Sequence, residues 1–245
     1  MSRPLLCLLP GLLCDATVWE PQLDALASVA DMRVAELKGL DSFEAMARKT
    51  LGETSGPISV AGHSMGGRVA LEMWRIAPER IERLALLDTG AHPASPSEEA
   101  PRMKLVRLAR EQGMDALVRA WLPPMVHPDR WDEAALMEPL ADMIRRATPD
   151  EFEGQQRAGL NRPDATGYLP RIACPTLIVC GRQDAWSPLE RHEEMAREIP
   201  GSVLATIEDC GHMVTVERPE AVNEALAAWL KAPAYRAIDS KEGAG

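Results

Sequence analysis

Apolar residues along the chain fall into two alternating kinds of run. Short runs that are apolar almost throughout predict strands at 4–9 (PLLCLL), 32–37, 58–61 (ISVA), 84–87 (LALL), 176–180 (TLIVC) and 203–207 (VLATI). Between them lie stretches whose apolar positions recur three and four apart, which predicts helices. One covers 19–29, with Trp19, Leu23, Leu26 and Ala27 on one face; others cover 43–51, capped by Asp41 or Ser42, 68–76, and 219–230, with Pro219 suited to its first turn. A strand with no polar alternation has no solvent face. Such strands, alternating with helices, predict an α/β fold: a mainly parallel sheet of about six strands with helices on both faces.

Residues 93–175 break that rhythm. They hold 11 of the 20 prolines, no convincing strand, and short helical pieces at 104–110, 114–121 and 133–144. The expected arrangement is a helical cap inserted between the fourth and fifth strands. A second helical layer enclosing no pocket is the plainer alternative. The domain reading is therefore a core of 1–92 and 171–232, a cap of 93–170, and a tail of 233–245 that lacks apolar periodicity and frays.

Composition narrows the class. The chain has 245 residues, 46% hydrophobic and 26% charged, as expected of a globular protein. No apolar run reaches the roughly 18 residues of a membrane helix. The formal charge of -10 argues against nucleic acid and anionic lipid as partners and leaves a small-molecule substrate; oligomeric state is not readable. The opening MSRPLLCLLPGLLC mimics a signal peptide, but Pro10 and Gly11 interrupt it and no Ala-x-Ala site follows. It reads as a buried strand and a turn. Five cysteines, an odd number without metal-ligand spacing, argue against disulfides and structural zinc, and a cytoplasmic setting is expected.

The chemistry concentrates at Gly62-His63-Ser64-Met65-Gly66, a G-x-S-x-G pattern between a predicted strand and a predicted helix. That setting suits a nucleophile elbow, in which the turn is too tight for a Cβ at either flanking glycine. Ser64 would stand strained above the sheet, with the Met65 N–H at a helix N-terminus. A serine hydroxyl needs a base, and the base an orienting acid. Of the five histidines, His212 lies on a loop after the sixth strand (EDCGHM), at the sheet edge where Ser64 emerges. His63 flanks the serine with its side chain directed away, His127 and His192 fall in or beside helical pieces, and His92 is a weak competitor. Asp184 (CGRQDAW), after the fifth strand, is the favoured acid and Asp88, after the fourth, its rival. Glu208 and Asp209 stand too near His212 along the chain. An oxyanion hole needs two donors: the N–H of Met65, and that of Leu12 in the loop after the first strand, where Gly11 allows close approach.

These segments together resemble the α/β-hydrolase superfamily from about 4 to 230. The matching pieces are LLCLLPGLLCDATVWEPQL, ISVAGHSMGGRVALEMW, IERLALLDTG, PTLIVCGRQDAWSP and EDCGHMVTVERPEAV. The resemblance implies a mainly parallel sheet, a helical cap after the strand ending at Leu87, and the triad Ser64, Asp184 and His212. Two features depart from it. Pro10-Gly11 replaces the common His-Gly, and the usual N-terminal β-hairpin is missing, which implies six strands, all parallel.

The pocket wall is expected from Leu12, Leu13, Trp121, Met125, Trp131, Met137, Met143 and Trp186, with Leu13, Trp121, Met125 and Trp186 as substrate contacts; each is also a plausible core residue. The sequence shows no Lys/Arg cluster near the elbow. Arg68 stands alone in SMGGRVA, a run similar to menaquinone-pathway synthases of this fold, where an Arg at that place implies a hold on an anionic substrate. The alternative is a structural ion pair. No metal or cofactor is called for, in the absence of HExxH, a GxGxxG after a strand, or a Cys/His cluster. The expected function is hydrolysis of a carboxylic ester, lactone or thioester of a small to medium apolar substrate through an acyl-enzyme. The alternatives are a lyase or elimination reaction on an anionic substrate anchored by Arg68, and a non-catalytic small-molecule receptor.

Overall fold

In the computed structural model, which describes residues 3–234, the chain alternates strands and helices. They run β1 (Leu5–Leu9), α1 (Glu20–Leu26), β2 (Asp31–Val34), α2 (Phe43–Gly52), β3 (Ile58–His63), α3 (Met65–Ile76) and β4 (Ile81–Leu87). Four helices follow without a strand: α4 (Glu99–Gln112), α5 (Met114–Trp121), α6 (Ala134–Arg145) and α7 (Pro149–Leu160). The rest are β5 (Thr176–Gly181), α8 (Leu189–Glu198), β6 (Val203–Ile207), α9 (Val214–Glu217) and α10 (Pro219–Leu230). Most of the tail expected from 233 onward lies outside the described residues.

The six strands form one sheet in the order β2-β1-β3-β4-β5-β6, every pair parallel. β3 and β5 are buried along their whole length, which is why they read as unbroken apolar runs. Side-chain alternation divides the core in two. Leu6 and Leu8 of β1 join the cluster under α1 and α10, while Cys7 and Leu9 join the cluster under α2, α3 and α8. The first cluster continues into α4–α7 through Val106, Leu117, Trp121, Leu140 and Phe152, so the inserted helices share the main core rather than forming a separate one.

Three helices are absent from the pattern reading: α7, α8 and the single turn of α9. α7 (PDEFEGQQRAGL) carries two glycines and few apolar residues, but the signal that marks its start is in the sequence: Thr148 and Glu151 form a capping box. α8 (LERHEEMARE) buries only His192 and Met195. Elsewhere local chemistry sets the boundaries. Ser42, of the two candidates, caps α2 by accepting from the Ala45 N–H at 3.2 Å. Among the described residues no helix is long and apolar enough to cross a membrane.

Strand order places the site. The chain runs from β1 outward to β2, then crosses back to β3 on the other side of β1, so the loops after β1 and β3 separate at a switch point. Leu9 is in register with Gly62, His63 with Leu87, and Gly181 with Ile207, so all these strands end together on one edge.

Candidate active site

Ser64 follows β3 directly and holds φ 54°, ψ -115°, a left-handed conformation costly for a residue with a Cβ, about 1–3 kcal/mol. Its amide donates to the Leu87 carbonyl at 2.8 Å, which fixes the turn to β4. The flanking glycines are steric necessities. A Cβ on Gly62 would stand 2.3 Å from the Gly66 carbonyl oxygen, and one on Gly66 2.1 Å from that of Leu9. The resulting turn sets the serine hydroxyl above the sheet edge.

Ser64 Oγ lies 2.8 Å from His212 Nε2, and His212 Nδ1 lies 2.8 Å from Asp184 Oδ2. The other carboxylate oxygen of Asp184 accepts the N–H groups of Trp186 at 2.8 Å and Ser187 at 2.9 Å. Burial opposes the charge on Asp184, but the His212 ring and these donors outweigh it and hold the carboxyl below its ordinary value. With Asp184 accepting at Nδ1, that nitrogen carries the proton and Nε2 is left facing the serine hydroxyl.

The rival acid has a different place. Asp88 is fully buried; Oδ1 accepts from the Gly181 N–H and Oδ2 from the Val214 N–H, both at 3.0 Å. It thus joins the end of β5 to the start of α9, just past His212. Burial and nearby Asp184 push its carboxyl well above the ordinary range. Glu217, unremarked in the sequence, clasps the same loop from the other side by accepting the N–H groups of Gly211, Met213 and His127. Its signal is only a carboxylate six residues after a loop glycine, too common to notice. The His212 amide donates to the Met125 carbonyl at 2.7 Å. Each of the other histidines has its own partner: His63 the His212 carbonyl, His92 Glu194, His127 the Asp129 N–H, and His192 the Thr89 N–H.

Asp88, Asp184 and His212 bring potential metal-ligand atoms within 4.8 Å of one another, as do Asp88, Cys180 and His192. The atoms of these sets are taken up by the protein's own hydrogen bonds: both Asp88 oxygens by backbone N–H groups, His212 Nδ1 by Asp184, and His192 Nε2 by Thr89.

A cavity of about 670 Å³ opens over Ser64 and His212. Leu12, Met65, Trp121, Met125 and Trp186 line it, and Trp186 lies 6.3 Å from the His212 ring and 6.1 Å from Trp121, centre to centre. Among the described residues, neither the Leu12 nor the Met65 amide has a hydrogen-bond acceptor. Four expected wall residues lie elsewhere. The chain turns at Leu13 (φ 59°), whose side chain packs in the core while Leu12 lines the cavity. Trp131 is 47% exposed and donates to the Val126 carbonyl. Met137 lines a separate groove, and Met143 is buried in the core.

A cationic cluster, which the sequence does not show, stands beside the elbow. Arg68, Arg102, Arg162 and Arg191 all line the cavity, because α4 and the segment after α7 carry Arg102 and Arg162 to the elbow from far along the chain. Arg68 forms no ion pair among the described residues; its Nη1 donates to the His92 carbonyl at 2.8 Å.

Residues 8–225 match the model of the alpha/beta hydrolase family, and the chain belongs to that family. It is similar to a thermophilic esterase from Thermogutta terrifontis solved with malate bound, at 32% identity and a TM-score of 0.84 over 94% of this chain and 90% of that one. It is similar to a protein from Stutzerimonas stutzeri provisionally named as the carbamate hydrolase RutD, 28% identical over 92% of this chain and 91% of the relative. A 2-hydroxy-6-oxononadienedioate/2-hydroxy-6-oxononatrienedioate hydrolase from Pseudomonas putida is 28% identical over 84% of this chain and 70% of its own length. These relatives are hydrolases.

Proposed function

We propose that this protein is a serine hydrolase that cleaves a carboxylic ester or lactone through an acyl-enzyme, with residues 93–170 as the cap over its substrate. The observation that carries the reading is the unbroken pair of 2.8 Å contacts from Ser64 through His212 to Asp184, beside a cavity able to hold a small molecule. In this reading Ser64 Oγ bonds to the carbonyl carbon as its proton passes to His212 Nε2. Asp184 steadies the imidazolium, and the N–H groups of Leu12 and Met65 receive the oxyanion, each worth about 3 kcal/mol of transition-state stabilisation. His212 returns the proton to the leaving oxygen, and a water activated by the same ring releases the acid. The name of the Thermogutta terrifontis relative supports an ester substrate. That of the Stutzerimonas stutzeri relative extends the range of bonds to test to carbamates.

A fluorophosphonate probe with peptide mapping tests the nucleophile: labelling at Ser64, and 4-nitrophenyl acetate turnover by wild type but not Ser64→Ala, are expected. Labelling elsewhere, or turnover that survives the substitution, overturns the reading. The lining arginines favour one second reading, a lyase acting on an anion. Turnover in heavy-oxygen water separates the two, since only hydrolysis places the label in the acid product.

A further inference from the structure

In a chain of net charge -10, four arginines converge on the cavity that Ser64 and His212 share. Two of them have a carboxylate. Arg162 holds Glu98 with both prongs, Nη2 to Oε1 at 2.5 Å and Nη1 to Oε2 at 2.8 Å, and Arg102 Nη2 reaches the same Oε2 at 2.9 Å. Despite its partial burial, the Glu98 carboxyl is held far below its ordinary range by these contacts. Arg68 and Arg191 have no counterpart to Glu98. Among the described residues neither forms an ion pair, and the guanidinium of Arg191 makes no hydrogen bond.

These two side chains meet at one small residue. A Cβ on Gly90 would stand 3.2 Å from Arg68 Nη2 and 3.7 Å from Arg191 Cδ. On α8, Glu194 Oε2 lies 3.3 Å from His92 Nε2 rather than on either arginine. Burial, with Arg162 and Arg191 close by, pushes Arg68 down to about 9. Glu98 thus pairs with two of the four cations and leaves Arg68 and Arg191 without an acidic partner in a partly desolvated wall, an arrangement that an incoming anion relieves. Arg68 is also one helical turn from Ser64, about 6 Å along α3, so an anion held there belongs to the same small molecule as the scissile carbonyl.

We infer that Arg68 and Arg191, backed by Arg102 and Arg162, form a carboxylate subsite, and that the substrate is a half-ester or lactone of a dicarboxylic acid. The two-pronged grip on Glu98 shows the geometry that a guanidinium offers a carboxylate within this same cluster. The substrate assignment rests on the hydrolase reading; the subsite itself does not.

The test compares mono-4-nitrophenyl adipate with 4-nitrophenyl hexanoate, six-carbon esters that differ in the terminal carboxylate. Wild type is expected to show kcat/KM at least tenfold higher for the adipate ester. Arg191→Gln and Arg68→Gln are expected to cut that ratio at least fivefold, with Arg191→Lys retaining more of it. Because Arg68 is largely enclosed, thermal melts of each variant accompany the kinetics, and half-exposed Arg191 carries the test if the Arg68 variant does not fold. Calorimetric titration of Ser64→Ala with adipate and with inorganic phosphate reads the subsite without turnover. Adipate binding that weakens at least tenfold with Arg191→Gln supports the subsite even if no ester is cleaved, an outcome that sinks only the hydrolase reading. Cleavage of both esters at equal kcat/KM, or a ratio untouched by the arginine variants, overturns the subsite and leaves the hydrolase. Phosphate binding more tightly than adipate overturns the carboxylate assignment.

Discussion

The backbone N–H of Leu13 donates to Gln155 Oε1 at 2.7 Å, a buried hydrogen bond between the loop after β1 and α7, 142 positions further along the chain. The side chain of one inserted helix therefore sets the backbone of the loop whose Leu12 lines the cavity. Gln156, the next residue, accepts from Arg102 Nη1 at 2.7 Å, so consecutive glutamines brace the loop and the cationic cluster.

Replacing Gln155 with Leu strands the Leu13 N–H, a loss of about 1–3 kcal/mol of stability. It also releases the Leu12 donor, and kcat is expected to fall about ten- to a hundredfold with a smaller change in KM. Gln155→Glu keeps an acceptor and is expected to recover part of the rate. Steady-state kinetics and urea unfolding of the three proteins check this; equal kcat in all three would disconnect α7 from the proposed oxyanion donor.

The buried ring of His63 donates Nε2–H to the His212 carbonyl at 2.7 Å, and burial keeps the ring neutral by lowering its proton affinity. His63→Leu leaves that carbonyl without its partner. Expected is a drop in kcat of about tenfold or more from misplacement of the His212 ring, partly rescued by His63→Gln, which retains an N–H donor. A kcat unaltered by His63→Leu would show that Glu217, Asp88 and the Met125 carbonyl hold the loop without it.

Asp184 and Asp88 are separable by the group each one faces. Asp184→Asn disrupts the acceptor of His212 Nδ1 and is expected to lower kcat about 10³- to 10⁴-fold with little change in folding. Asp88→Asn disturbs two backbone hydrogen bonds at the end of β5 and the start of α9, so its main effect is expected in the unfolding midpoint. The reverse ranking of kcat losses would exchange the two roles.

His192 is fully buried, and burial pushes it down to about 4; His63 is lowered for the same reason. Folded pKa values below the unfolded value near 6.5 mean that the unfolded chain binds protons which the folded chain refuses. Stability is therefore complete above about pH 6.5 and drains away as pH falls toward 4, by up to roughly 3 kcal/mol for His192. Asp88, raised by burial and Asp184, acts in the opposite sense and offsets part of the loss. Urea midpoints at pH 8, 6, 5 and 4.5 are expected to fall steadily, and the slope to flatten in His192→Gln. A flat wild-type profile would show that both rings protonate without unfolding.

The sheet was legible because its strands announce themselves: a run such as Ile58–His63, buried on both faces, has no polar position to disguise it. Ser64, Asp184 and His212 were nameable because each follows a strand, and parallel strands deliver such positions to one edge. Leu13 faces the core and not the cavity because a single left-handed φ decides which of two adjacent leucines lines the cavity, and φ is not written in composition or period. The capping box of Thr148 and Glu151 was there to be read; the polar, glycine-containing helix after it hid the signal.

Sequence alone determined the strand pattern and the glycines flanking the elbow, because apolar period and steric exclusion at a tight turn act between near neighbours. Tertiary structure alone decided that Gln155 would reach the Leu13 N–H, that Glu217 would clasp the His212 loop, and that four arginines would line one cavity. Those contacts join residues tens of positions apart through the docking of α4–α7 on the sheet edge, and no local pattern encodes where one packed surface meets another.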